Sequence, residues 1–245
     1  MFTYWVVREA MSQDAFTTTH ALSDPNVETI ADIERMFSTI TYAKGASILH
    51  MIKGLMQETP FFNALKQYVK VNADVPTRPE LLMTELDKVY NSASDKLSER
   101  LSKWIYQKGY PVVTVSRNYD STNPNDISYT QKRFLLPVAP GSSAPVLNET
   151  DTWDVPLTLI SGAIKDDLQT ALQAANLPCW VSSASEKLPD RCLTIFTDKP
   201  TVVAGTDQIS NFIIANVQQF GFYRVNYDIR NWNRIIGALG AYTSG

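Results

Sequence analysis

The sequence predicts an α+β chain of more than one domain, and three features of its patterning predict it. Up to about Lys108, apolar side chains recur at intervals of three and four, and no strand is evident. After Pro111 the pattern gives way to short β-branched or alternating runs separated by turn-forming residues. From Tyr227 a helical spacing returns and ends in Gly240 to Gly245. The 245 residues are 44% hydrophobic and 19% charged, enough for one large domain or two ordinary ones with real cores.

In the helical part, Tyr4, Val7, Met11 and Ala15 fit one helix face, as do Ile30, Ile33, Met36 and Phe37. A helix beginning near Tyr42 carries Ala46, Leu49, Ile52 and Met56. Thr59-Pro60 reads as an N-cap with proline at the first helical position, followed by the face Phe61, Leu65, Tyr68 and Val69. Thr77-Arg78-Pro79-Glu80 reads as a capping box, followed by Leu82, Leu86, Val89 and Tyr90. Leu97, Leu101, Trp104 and Ile105 continue the pattern until Gly109-Tyr110-Pro111 stops it.

The strand candidates are Val112 to Val115, the partly alternating Ile127 to Leu135, Trp153 to Leu159, Cys192 to Phe196, Phe212 to Ala215 and Gly221 to Val225. Many short strands divided by turns predict a β-sandwich. Asp166 to Asn176 reads equally as a short helix or a loop. Trp232, Ile235, Ile236 and Leu239 then share one face of a closing helix, expected to be the first element of a further helical domain.

Charge and composition exclude several classes. A net charge of −3 with pI 5.4 offers no basic footprint for nucleic acid. No apolar run approaches the roughly 18 residues of a membrane span, and the N-terminus lacks a basic signal-peptide region. The two cysteines, Cys179 and Cys192, admit a disulfide in an oxidising compartment or two buried free thiols. Asn148-Glu149-Thr150 is a glycosylation sequon.

No catalytic centre follows from spacing alone. A zinc helix needs two histidines four apart with a glutamate between them. His20 precedes Ala-Leu-Ser-Asp and His50 precedes Met-Ile-Lys-Gly, so neither qualifies. His20 is expected in a loop and His50 on a helix surface or in packing. There is no CxxC, Walker loop, GxGxxG or GxSxG. Asp166-Asp167 reads as a solvated turn, and by spacing alone Tyr42 is a helix-start aromatic.

Five blocks, in order, change that reading. They are His20-Ala21-Leu22-Ser23; Ile33 to Phe37 running into Ile40-Thr41-Tyr42-Ala43-Lys44-Gly45-Ala46-Ser47; Trp104 to Val112; Trp153 to Leu157; and Gly221 to Asp228. Together they resemble the aminopeptidase N family of zinc metalloaminopeptidases, with the overall character of its insect gut members. Ser38 stands where the family usually has aspartate.

The resemblance implies an internal fragment in three parts. Residues 1–108 would be the helical C-terminal part of a thermolysin-like catalytic domain, 109–228 an antiparallel β-sandwich, and 229–245 the first helix of a truncated helical domain. It implies that Tyr42 donates a hydrogen bond to the oxyanion that forms when zinc-activated water attacks a peptide carbonyl. The family's HExxH helix, third-ligand glutamate and amino-group-binding segment are absent from this sequence. The complete enzyme would therefore use zinc on peptide substrates at the extracellular face of the plasma membrane, its anchor outside this chain. The isolated chain is expected to bind no metal and to be inactive. The alternatives are a β-sandwich module that docks a protein ligand such as a toxin, and a non-functional product that exposes core surface.

Overall fold

The computed structural model describes residues 2–90, 96–121, 126–137, 151–162, 179–189 and 212–243. Asn148, Cys192 and the stretches 166–176 and 192–196 lie outside the described residues. The fold is mixed helix and sheet, and the chain divides into two compact units. One comprises Met1–Tyr110, Arg133–Asn148 and Phe220–Phe222; the other comprises Pro111–Lys132, Glu149–Gln219 and Tyr223–Gly245.

The first unit begins with a π-helical turn, Thr3–Val7, which runs into α1, Arg8–Asp14. The inward face takes in Ala10 and Asp14, three and seven residues after Val7, beside the expected Ala15. Val7, Ala10, Asp14 and Ala15 are buried, whereas Met11 is only half-buried. Next comes α2, Ile30–Met36, closed by a capping box in which the Thr29 hydroxyl accepts from the Asp32 amide and the Asp32 carboxylate accepts from the Thr29 amide. Its apolar face is not a core face, because Ile30, Ile33 and Phe37 are all exposed. A second π-helical turn, Ile40–Lys44, leads directly into α3, Gly45–Met56.

The remaining helices of this unit are α4, Glu58–Val71, α5, Pro79–Tyr90, and α6, Leu97–Tyr106. Helix α4 starts before the expected cap, so Pro60 is its third residue, where a missing N–H still costs no intrahelical bond. Helix α5 starts at Pro79, which puts proline at the first helical position instead of inside a capping box on Thr77. Helix α6 matches its sequence pattern residue for residue: Leu97, Leu101, Trp104 and Ile105 are all buried. Each of its aliphatic members contributes roughly 1.5–3 kcal/mol by leaving water.

The second unit is built from short strands: β1, Pro111–Arg117; β2, Ile127–Arg133; β3, Val155–Leu157; β4, Leu159–Gly162; β5, Cys179–Val181; β6, Ser185–Lys187; β7, Phe212–Ala215; and β8, Arg224–Tyr227. Helix α7, Ile229–Thr243, follows them. One sheet has the order β6-β2-β1-β8, and the pairs β3–β5 and β4–β7 form two small antiparallel sheets. The expected wholly antiparallel pairing is not what forms, because β1 and β8 run parallel, with Val113 opposite Val225. Strands so distant in sequence carry no hairpin constraint, so either direction is open to them.

The run Trp153 to Leu159 is likewise not one strand. It breaks at Thr158, whose carbonyl accepts from the Asn216 amide at 3.0 Å and whose hydroxyl accepts from the Val217 amide at 2.9 Å. On one side of this break the chain pairs with β5, on the other with β7.

Strand β2 alternates fully between buried and exposed positions although two of its inward residues, Gln131 and Arg133, are polar. The Gln131 amide makes this possible. Its Nε2 donates to the carbonyls of Trp153 and Ser183 at 2.9 and 3.0 Å, and its Oε1 accepts from the Trp153 amide at 2.9 Å. Asn231 of α7 does the same for β7, donating to the Ile213 carbonyl at 2.9 Å and accepting from its amide at 2.8 Å. Both side-chain amides pair with main-chain groups as a peptide would, so their burial leaves neither amide unsatisfied.

Two predictions follow from this packing. Gly109 has φ of +86°, and a Cβ there would lie 2.4 Å from Arg133 Nε, itself a buried side chain of the first unit. Gly109→Ala is expected to lower stability by about 1–3 kcal/mol, read as a fall in the urea midpoint. In the second unit, Tyr119 donates to Asp228 at 3.0 Å and lies under the guanidinium groups of Arg234 and Arg230, at 4.5 and 5.2 Å from its ring centre. Burial first, and then the bond to Asp228, push this phenol up to about 12. Because the folded value is raised, its contribution is complete below the unfolded value near 10 and is lost as pH rises through about 12. Tyrosinate absorbance should show Tyr119 ionising late, and Tyr119→Phe should flatten the alkaline stability loss.

Candidate functional site

The segment carrying Tyr42 is the π-helical turn Ile40–Lys44, closed by the Gly45 amide donating to the carbonyl of Ile40 five residues back. Such turns are rare and recur at functional positions. Ile40 and Lys44 point inward and are buried, whereas Tyr42 between them is 64% exposed. A large aromatic on a turn anchored at both sides and itself uncovered presents its hydroxyl outward.

The anchor on the C-terminal side is Lys44. Its ammonium group is fully buried and lies 2.9 Å from the fully buried Asp14 carboxylate. It also donates to the Gly109 carbonyl at 3.0 Å, and the ring of Phe222 lies 5.8 Å away. The other Asp14 oxygen accepts from the Gly109 amide at 3.0 Å and from the Thr19 hydroxyl at 2.9 Å. Gly109 thus bridges the ion pair with both of its backbone groups, which accounts for a residue of positive φ at this point. Burial pulls the Lys44 ammonium below the usual lysine range, and the Asp14 charge opposes that shift.

The N-terminal side of the turn is held by Ser38. Its Oγ accepts from the Ile40 amide at 3.2 Å, and its carbonyl accepts from the Tyr42 amide at 3.2 Å. The Thr41 hydroxyl donates to the Met36 carbonyl. His20 lies in a loop, with Nε2 at 2.8 Å from Ser38 Oγ and Nδ1 at 2.7 Å from the Ala21 carbonyl. His50, on α3, packs against the rings of Phe2 and Phe220 at 4.7 and 5.5 Å. Burial first, with the Lys53 charge, lowers its pKa.

Of the sequence-predicted site residues, Tyr42 stands on this turn and Cys179 is buried in β5, while Cys192 and Asn148 lie outside the described residues. Asp14 was not expected at the site. One signal for it exists in the sequence: an acid seven residues after Val7 falls on an apolar stripe, where a charge needs a buried partner.

The donor set does not suit a zinc ion. Both nitrogens of His20 are engaged, His50 is flanked by aromatic rings, and the described residues contain no group of three His, Cys, Asp or Glu side chains able to hold a metal.

Residues 1–104 match the peptidase family M1 domain. The chain belongs to this family of peptidases, with relatives among the aminopeptidases N. It is 30% identical over 241 residues to aminopeptidase N of Bos taurus, covering 95% of this chain and 22% of that protein. It is 31% identical over 241 residues to the membrane alanyl aminopeptidase of Heliothis virescens, covering 95% and 21%. Against the human thyrotropin-releasing hormone-degrading ectoenzyme it is 28% identical over 237 residues, covering 96% and 20%. The chain thus spans only 20–22% of the length of these relatives. Among the described residues, no helix is long and apolar enough to cross a membrane.

Removing the Lys44 charge strands a buried carboxylate. Lys44→Met is expected to cost about 3–5 kcal/mol in urea unfolding. Adding Asp14→Asn should recover part of the loss, because the amide oxygen can still accept from Gly109.

Proposed function

We propose that this chain supplies one segment of a zinc-dependent aminopeptidase that removes N-terminal residues from peptides, with Tyr42 as the donor to the oxyanion. The observation that carries this reading is the exposed Tyr42 on a π-helical turn whose two sides are held by buried or hydrogen-bonded residues. A tyrosine hydroxyl displayed on a braced backbone turn suits the task of donating to charge that develops on a carbonyl oxygen. The membership in a peptidase family and the aminopeptidase relatives support the same reaction class.

The accompanying division has residues 1–108 as the helical end of a thermolysin-like catalytic domain, 109–228 as a β-sandwich and 229–245 as the opening of a helical domain. It is supported by the change from helices to strands at Pro111 and by the exposed Trp232, Ile236 and Leu239 on α7. Cys179 pairs with Cys192 and Asn148 carries a glycan in this reading, which puts the protein at the extracellular face of the plasma membrane. No free cysteine among the described residues is consistent with that pairing. The protein-docking alternative draws on no feature of the described residues.

Zinc and turnover are both expected to be absent from the purified, zinc-supplemented chain, measured by metal analysis and hydrolysis of an aminoacyl-p-nitroanilide. Exchanged for the matching segment of Bos taurus aminopeptidase N, the chain should support turnover. There Tyr42→Phe should lower it by about two to three powers of ten. Unchanged turnover in that variant would refute the role of Tyr42.

A further inference from the structure

His20 lies more than a turn of chain away from the tyrosine segment in sequence, yet it is bonded to the residue that opens that segment. The Ala21 contact fixes which tautomer the neutral ring adopts. The Ala21 carbonyl can only accept, so Nδ1, 2.7 Å away, carries the proton. In the neutral ring Nε2 is then an acceptor, and Ser38 Oγ, 2.8 Å away, donates to it. With its proton committed to the ring, Ser38 Oγ turns its lone pairs to the Ile40 amide at 3.2 Å and, more weakly, to the Thr41 amide at 3.5 Å. These two amides open the π-helical turn and have no partner within it. The Ser38 carbonyl meanwhile accepts from the Tyr42 amide itself.

We propose that His20 is a positioning residue for Tyr42. Through a single tautomer it orients the Ser38 hydroxyl, and that hydroxyl sets the N-terminal half of the turn that displays the tyrosine. The proposal rests on the reading of Tyr42 as the hydrogen-bond donor of the site. A serine at this place makes a directional, neutral contact with the imidazole, where an aspartate would hold it by charge. The turn is therefore set by which ring nitrogen carries the proton. On the segment before the turn Asp24 and Asp32 are both paired with Arg35, and within the turn Lys44 is paired with Asp14. None of them is hydrogen-bonded to His20.

The test is nitrogen NMR of the purified chain at neutral to alkaline pH, together with amide exchange at Tyr42. The expected result is a His20 ring protonated at Nδ1, a signature that a merely space-filling histidine has no reason to show. Ser38→Ala should leave the Nδ1 tautomer, which the Ala21 carbonyl fixes, and speed exchange at Tyr42 on the order of fivefold, the loss of one ordinary hydrogen bond. Ser38→Thr, which keeps the hydroxyl, should restore slow exchange and separates loss of this bond from general unfolding. A His20 ring protonated at Nε2 would overturn the proposal, as would a Ser38→Ala chain whose Tyr42 amide exchanges at the original rate. The readout is the order of the turn, so it stands apart from what Tyr42→Phe does to turnover.

Discussion

The ion pair between Lys44 and Asp14 is the constraint on which the first unit is built. Two charges with no solvent exposure are stable only if every remaining donor and acceptor around them is filled, because desolvation otherwise outweighs their attraction. Here the filling comes from the Gly109 peptide and the Thr19 hydroxyl. The result ties α1, the tyrosine turn and the end of α6 to one point. It also explains the lysine–glycine pattern after Tyr42 physically: the lysine is an interior strut, and the tyrosine two residues earlier faces out because the strut faces in.

The second unit meets the same polar requirement with neutral groups. Gln131, from within β2, satisfies backbone groups of Trp153 and Ser183, and Asn231, from α7, satisfies both backbone groups of Ile213 in β7. Side-chain amides can do this because each offers a donor and an acceptor at once, as a peptide does.

Much of the helical half was legible because a regular helix maps sequence onto space by a fixed period. Leu97, Leu101, Trp104 and Ile105 show it. In α1 the same period puts Asp14 on the face of Val7 and Ala10, but a count of apolar residues passes over a buried charge. In α2 the apolar spacing was present but its face is uncovered, since spacing says which residues lie together and not what meets them. The tyrosine was found by resemblance alone. The partners of Lys44, two residues on, were hidden because Asp14 and Gly109 are far from it in sequence, and no local pattern encodes a contact of that range. The parallel pairing of β1 with β8 was hidden for the same reason.

The bridging role of Gly109 also has a consequence in time. Lys44 and Asp14 precede this peptide by 65 and 95 residues. During synthesis both charges therefore leave the ribosome well before the one backbone unit that reconciles them. Until Gly109 follows, burying the pair would leave orphaned donors and acceptors, so the nascent helices have reason to stay apart and hydrated. Long-range closure of this kind comes late in folding. The surface that displays Tyr42 thus sets only once Gly109 is in place, although its own residues are made well before that glycine.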